Sequence, residues 1–309
     1  MLANFLGKSK PINFIILLTL FACLFLTTVF SVSSNSILDL STILKLVSFL
    51  GLYLVIFFFF NFIVSKNNLT FDNSYAFFSF TVLLSYFLDT INNYKALSTL
   101  LLYILFLRKV YSLKSHKKIL QKLFDGGFWL SILFIMEPFS AMFTLLIYAA
   151  IFLHQKPIIS NLIAPIIGFI TPLIIYFTHC FWFDKTYLFT NLFYFDRFNS
   201  FIFYQEGNLY WIAVAIIILS LISLFLKSPK AFSVNNSFKK NWILLIINLG
   251  LALLFALLIP NKNGSELLFL LFPAAVIIAN GFEAVKSNIV KNILFTILLI
   301  SVLIVVFLL

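Results

Sequence analysis

Between Gly127 and Leu153 the chain reads GFWLSILFIMEPFSAMFTLLIYAAIFL, 27 residues with Glu137-Pro138 near the middle. A helix crossing a bilayer core needs about 20 apolar residues, so this stretch is long for one span and short for two. It is either one helix kinked at the proline or a hairpin of two short helices, about ten and fifteen residues long, turning at Glu-Pro. Every segment that follows changes sides with the answer.

Charge decides between the two, because Lys and Arg collect in the cytoplasmic loops of membrane proteins. With a hairpin, the N-terminus and the loops near 66, 108–122, 156, 227–240 and 286–291 share one side, which then holds sixteen basic residues. The other side holds five: Lys45, Lys95, Lys185, Arg197 and Lys262. A single span would flip everything after it and level the split to twelve against nine. The hairpin also lifts the Glu137 carboxylate out of the bilayer centre, where a charge costs roughly 3 kcal/mol on insertion scales. The sequence therefore predicts a hairpin.

The composition of the whole chain puts this stretch in a membrane. Of 309 residues, 62% are hydrophobic and only 10% charged, and the mean hydropathy is +1.10. Soluble domains carry roughly 45–50% apolar and 25% charged residues. A water-soluble core of this length could not bury so much apolar surface, which excludes a soluble enzyme. Two cysteines, Cys23 and Cys180, exclude a disulfide scaffold. The net charge of +11 comes with no phosphate loop, zinc spacing or nucleic-acid module, so it reads as topological charge and not as a nucleic-acid surface.

Outward from the hairpin, apolar stretches run over 12–30, 43–64, 71–88 and 94–113 before it, and over 158–181, 209–226, 242–259, 267–282 and 288–309 after it. The expected fold is all-α, a polytopic transmembrane bundle of about eleven hydrophobic segments, two of them short. The chain forms one integral membrane domain, 1–309, with its N-terminus in the cytoplasm and its C-terminus outside. Lys8, Lys10 and the apolar run behind them resemble a signal sequence, but the run continues past Cys23 to Phe30, as an uncleaved first helix does. The longest piece between spans, Trp182–Asn208, is dense in aromatic rings and reads as an interfacial helix.

Few polar positions remain for chemistry. Glu137 sits on irregular backbone that a membrane protein tolerates only where protein or a water-filled cavity surrounds it. It reads as a substrate- or ion-facing carboxylate, or as a hairpin cap with Pro138 starting the next helix. Asp39, in the first outer loop, reads as a general base, a metal-binding acid or a helix cap. Glu266 follows the turn residues Asn263-Gly264-Ser265 and suits the first turn of a helix. Asp196-Arg197 reads as an interfacial ion pair. Asn248 and Asn280 lie within spans, where amides bond neighbouring helices. His179 beside Cys180 falls short of a metal site, which wants at least three protein ligands. No metal or cofactor is expected.

Three stretches taken together carry a resemblance: Phe5 to Phe14 (FLGKSKPINF), Asn67 to Thr70 (NNLT) and Lys122 to Trp129 (KLFDGGFW). They resemble an uncharacterised family of bacterial polytopic inner-membrane proteins, a domain of unknown function found in flavobacteria-like organisms. The resemblance covers essentially the whole chain and implies location and fold. More distantly, the hairpin, the helix 159–178 with Pro165, Gly168 and Pro172, and the helix 266–281 with Pro273 resemble the GT-C membrane glycosyltransferases. That class takes polyprenyl-phosphate sugars on the outer side of the membrane. The resemblance implies Asp39 as the catalytic acid; beside it, Glu137 is a second catalytic candidate and Lys185, Arg197 and Glu266 are substrate-binding candidates from their place on the outer side. The first outer loop is shorter here than in that class. Glu137 also stands where the class carries a basic residue, and no Arg-Tyr pair precedes the late proline helix.

Two functions follow as expectations. The first is a GT-C-like protein of the cell envelope, active or degenerate, that handles polyprenyl-linked sugars. The second is a non-enzymatic component that docks partner membrane proteins in an envelope assembly and is sensitive at Gly51 or Gly168. A transporter is a third reading, resting on Glu137 alone. The expected partners are the lipid bilayer and either the lipid-linked sugar or partner membrane proteins; nucleic acid is not expected.

Overall fold

A computed structural model describes residues 2–32, 40–88, 93–155, 157–194, 208–233, 235–260 and 262–308. In chain order the helices are α1 (Leu2–Leu6), α2 (Pro11–Val32), α3 (Leu40–Lys66), α4 (Tyr75–Ser85), α5 (Tyr94–Ser112), α6 (Ile119–Met136), α7 (Thr144–His154), α8 (Ile159–Trp182), α9 (Thr186–Thr190), α10 (Asn208–Ser233), α11 (Asn236–Leu258), α12 (Leu268–Ala284) and α13 (Asn288–Leu308). No strand occurs among the described residues. Nine helices there are long and apolar enough to cross a membrane, and two shorter apolar segments, Tyr75–Ser85 and Pro138–His154, lie beside them. The all-α polytopic bundle of eleven segments is thus observed.

The bundle is built around α4 and α12. Every residue of α4 is buried, as is every residue of α12 from Leu268 to Phe282. A helix apolar on all sides belongs inside a bundle, and these two pack against each other there. Phe60 of α3 stacks on Phe80 of α4 at 4.0 Å between ring centres and meets Phe272 of α12 edge-on at 5.4 Å. The periphery differs sharply. Only 17% of the apolar window of α13 is buried, against 89% for the segment containing α12. The outer helices α2, α3, α8, α10 and α13 turn Ile, Leu and Phe side chains outward, the surface a bilayer would cover.

The run Phe57–Phe60 shows how one sequence serves both surroundings. Phe57 and Phe60 point into the bundle while Phe58 is 64% exposed, as a helical period of 3.6 requires. Hydropathy alone cannot separate the two faces, because both are apolar.

The Gly127–Leu153 stretch is the return of a hairpin. α6 ends at Met136, and Glu137 is extended with φ −140° and ψ 93°. Pro138 then starts a 3-10 turn, Pro138–Phe143, which leads into α7. The end of α7 comes back to where α6 began: Gln155 Nε2 donates to the Leu113 carbonyl at 2.5 Å, and His116 Nδ1 lies 3.3 Å from Gln155 Oε1.

One boundary is corrected. The first arm has 18 residues and starts at Ile119, so it is a full span and not a segment of about ten. The second short segment of the bundle is instead α4, eleven residues where the apolar run suggested 71–88. α6 runs through Gly126-Gly127, and the second of these glycines serves packing. A Cβ on Gly127 would stand 2.1 Å from the Pro165 carbonyl oxygen, and one on Gly168 would stand 2.1 Å from that of Phe124. The two glycines let the α6 and α8 backbones touch, the close approach that small residues permit between membrane helices. Gly51 differs, since a Cβ there would meet nothing within 4 Å.

The loops cluster at two ends. At one, the N-terminal segment meets α13 through Ala3 N and Asn292 Oδ1 at 2.8 Å, and Lys230 Nζ donates to the Ala284 carbonyl at 3.0 Å. Asn241 Nδ2 and Lys114 Nζ both donate to the Asn67 carbonyl, at 3.0 and 2.9 Å. This basic end carries the loops that the charge count groups together. The opposite end holds the Glu137 turn and the starts of α5 and α12.

Candidate functional site

At the end opposite the basic loops, a cavity of about 490 Å³ opens between the start of α5, the hairpin turn, the segment after α9 and the loop joining α11 to α12. Local rules put each side chain there. Asn93 caps α5, its side-chain oxygen accepting the Lys95 backbone N–H at 2.9 Å, as amide and hydroxyl residues do at helix starts. That cap places Lys95 in the first turn of the helix, facing the hairpin. At the hairpin, the Glu137 N–H closes the last turn of α6 on the Leu133 carbonyl at 2.8 Å, and its own carbonyl accepts from Ser140 N at 2.9 Å. The carboxylate is left to face the cavity. Lys95 Nζ and Glu137 Oε1 meet at 2.6 Å, with the lysine side chain 57% exposed and the glutamate 23%.

Around this pair stand the amides of Asn93, Asn191 and Asn263 and the hydroxyls of Thr99, Ser265 and Tyr194. A cation, an anion, three amides and three hydroxyls give a surface of hydrogen-bond donors and acceptors that suits a ligand rich in hydroxyl groups. Lys262 is near in sequence but occupied differently. Its Nζ donates to the carbonyls of Ala256 and Leu257, finishing α11, and burial lowers its pKa below the usual lysine value.

The structure brings together only some of the residues singled out in the sequence. Glu137 lines the cavity. Glu266 is next to it in the chain fold and close enough to interact electrostatically with Glu137, but it is 1% exposed. Its carboxylate takes backbone hydrogen bonds from Asn263, Gly264 and its own N–H, the position of an acid at a helix N-terminus. Lys185 is exposed just before α9 and is not among the lining residues, although Asn191 and Tyr194 of the same outer segment are. Short helical turns occur over Thr186–Phe193 with Tyr187 and Phe193 exposed, and positions 195–207 of the stretch expected to be interfacial lie outside the described residues. Asp39 and the Asp196-Arg197 pair lie outside the described residues. Among the described residues no group of three or more His, Cys, Asp and Glu side chains could hold a metal ion.

Two features escaped the sequence reading. Lys95 counted only as a cation of the minority side; its Asn-x-Lys cap spacing marks a helix start, but nothing in the chain announces that it meets Glu137. The other is a second ion pair, Lys227–Glu283 at 2.5 Å, whose side chains are 3% and 5% exposed. Glu283 Oε1 also accepts from Phe71 N at 2.8 Å and Asn73 Nδ2 at 2.7 Å, and Lys227 Nζ lies 4.5 Å above the Phe71 ring. This node ties α10 and α12 to the loop between α3 and α4 at the basic end.

The comparisons with known proteins join this geometry at the level of a family. The description "Family of unknown function (DUF6427)" matches residues 1–308. The chain belongs to that family. No curated protein and no solved structure matches it. Membership covers the bundle as a whole, so the hairpin and both ion pairs lie within the matched region. The matched region of this chain folds as a multi-pass helical bundle.

Proposed function

We propose that this family member is a multi-pass protein of a bacterial inner membrane, with the N-terminus and basic end in the cytoplasm and the C-terminus in the periplasm. In this reading it serves the cell envelope by handling a polyprenyl-phosphate-linked sugar in the cavity around Glu137 and Lys95. The observation that carries the reading is the lining of that cavity. Amides and hydroxyls match the alternating donors and acceptors of a sugar, and the half-exposed Lys95 ammonium is the group to meet a phosphate. A cavity at the end of an apolar bundle is also where a ligand anchored in the bilayer presents its headgroup.

The likeness to GT-C enzymes gains one point of support. Glu137 replaces the basic residue of their hairpin turn, but Lys95 brings a cation within 2.6 Å of it. In the catalytic form of the proposal Asp39 is the base, Glu137 orients the acceptor, and Lys185 and Arg197 join Lys95 on phosphate, with the buried Glu266 acting on Glu137 electrostatically. Mass spectrometry of polyprenyl-linked sugars tests this in wild type, a deletion strain, and the deletion complemented with Glu137→Gln or Asp39→Asn. Accumulation of one sugar-lipid in the deletion and in both variants is the expected result. Accumulation with Glu137→Gln but not Asp39→Asn leaves a binding protein without Asp39 chemistry. Unchanged pools in the deletion overturn the reading.

The scaffold reading keeps one specific support. Gly168 is occupied within the chain, so its sensitivity no longer separates the two functions. Gly51 leaves room for a neighbouring backbone. Loss of a copurifying membrane protein on Gly51→Leu, with sugar-lipids unchanged, would establish the scaffold.

A further inference from the structure

The basic end contains a second cavity, about 630 Å³, between the end of α3, the end of α5 and the start of α6. Seven cations line it, and they are not equivalent. Lys109 is neutralised by Asp125 at 2.6 Å. Lys114 donates to the Asn67 carbonyl at 2.9 Å, and Lys122 to the Ser112 carbonyl at 2.6 Å and to Ser115 Oγ at 2.5 Å. Those three hold helix ends together.

The other four are Lys66, Arg108, Lys117 and Lys118. None has a carboxylate within salt-bridge distance among the described residues. Lys66, Lys117 and Lys118 are exposed. The Arg108 guanidinium is held 5.3 Å over Phe59 and 5.2 Å over Phe62, with Lys66 Nζ 5.4 Å over Phe62. Stacking of this kind fixes a guanidinium in place while leaving its N–H edge available for a planar or tetrahedral oxyanion.

The positive-inside bias by itself explains cations at this end, but it does not ask them to surround a cavity. Elsewhere at the same end Lys227 is buried on Glu283, and Lys239 and Lys291 lie over the rings of Phe232 and Tyr75. Among the described residues, several cations converge here with a single carboxylate partner.

We propose that this cleft binds the phosphate headgroup of an anionic membrane lipid. Phosphate chemistry could equally come from a free ion, and the choice of a lipid rests on the wall of the cleft. Phe59 and Phe62, which carry Arg108, continue into Phe58, which contacts both rings at 5.4 and 6.3 Å and is itself 64% exposed. Leu54 and Val55 extend that outward apolar face along α3. A phosphate in the cleft therefore has an apolar track beside it on which acyl chains can lie. Basic pockets between membrane helices on the cytoplasmic side recognise lipid headgroups in this way. The site lies at the opposite end of α5 from the Lys95–Glu137 cavity and does not depend on the function proposed for it.

The test uses the full-length protein in a mild zwitterionic or non-ionic detergent, with native mass spectrometry and thermal unfolding as readouts. The probes are phosphatidylglycerol, phosphatidylcholine and inorganic phosphate. Phosphatidylglycerol is expected to bind and stabilise, and the other two to do neither. The double variant Lys66→Gln/Arg108→Gln is expected to lose roughly 30-fold in affinity, about fivefold for each cation. Arg108 packs on rings, so Lys117→Gln/Lys118→Gln, both exposed, removes two cations without touching that packing and is expected to weaken binding similarly. The control Lys239→Gln/Lys240→Gln removes the same charge from the same end outside the cleft and is expected to bind normally. Equal losses in the control would reduce the effect to general surface charge and overturn the site. Binding of inorganic phosphate as tight as that of the lipid would overturn the lipid assignment.

Discussion

Two lysine–glutamate pairs in this protein have almost the same geometry and opposite surroundings. Lys227–Glu283 closes at 2.5 Å with both side chains about 95% buried, and Lys95–Glu137 closes at 2.6 Å with the lysine more than half exposed. In the first, Glu283 accepts two further hydrogen bonds and Lys227 sits under aromatic rings, so each charge is enclosed by partners. In the second, the pair faces a cavity lined with amides and hydroxyls. Burial makes one pair a fixed part of the scaffold. Exposure leaves the other open to the cavity, where the proposed ligand would meet it.

The largest effect should come from breaking the buried pair on one side. Glu283→Gln leaves the Lys227 ammonium buried without its counter-charge, and removing one partner of a buried pair costs about 3–5 kcal/mol. Thermal unfolding in detergent should show a large drop in stability. The double variant Lys227→Met/Glu283→Gln should recover much of it, because no unpaired charge remains.

The next effect tests the frame that holds the exposed pair. Gly168→Ala forces a Cβ toward the Phe124 carbonyl, and overpacking of this kind costs about 1–3 kcal/mol. It should loosen α6 from α8 and with it the turn that carries Glu137. Gly51→Ala, with open space around it, should stay within about 0.5 kcal/mol of wild type.

A neutral polar contact in the interior should fall at about the same level or below. Tyr103 Oη donates to Asn248 Oδ1 at 2.7 Å, both residues being fully buried. Asn248→Leu strands that hydroxyl and should cost about 1–3 kcal/mol in the same unfolding measurement.

Of the polar contacts, the exposed pair itself should show the smallest effect on stability. Glu137→Gln should change unfolding by no more than about 1 kcal/mol, the range of solvent-exposed ion pairs. Its consequence should appear instead in the sugar-lipid pools. A stability loss as large as that of Glu283→Gln would erase the distinction between the two pairs.

How much of this could be read from the sequence follows from the kind of information each feature needs. Hydropathy and the Lys/Arg bias depend on local composition, so the segments, the hairpin and the grouping of the basic loops were all legible. The start of α6 was not, since Lys122, Asp125, Gly126 and Gly127 read as a loop. In the structure Lys122 and Asp125 are each satisfied across to α5 or the turn after it, and Gly127 lies against α8. Glu137 stood out because a carboxylate beside a proline in an apolar run is conspicuous. Its partner did not, because pairing across 42 positions depends on which helices become neighbours. The same holds for Lys227 and Glu283, and for Asn280, whose Nδ2 reaches the Leu69 carbonyl at 2.9 Å. Residues that meet across a bundle carry no periodic mark in a chain apolar on nearly every face.

The claim beneath all of this is that the hairpin turns back, so that the exposed pair and the basic end lie on opposite sides of the membrane. Labelling of single cysteines tests it directly. Lys117→Cys and Asn263→Cys, each in a background with Cys23 and Cys180 replaced by serine, are treated with a membrane-impermeant maleimide in sealed right-side-out vesicles. The account predicts labelling at 263 and protection at 117 until the vesicles are opened. Equal protection or equal labelling at both positions would mean that Gly127–Leu153 crosses the membrane once, and would contradict it.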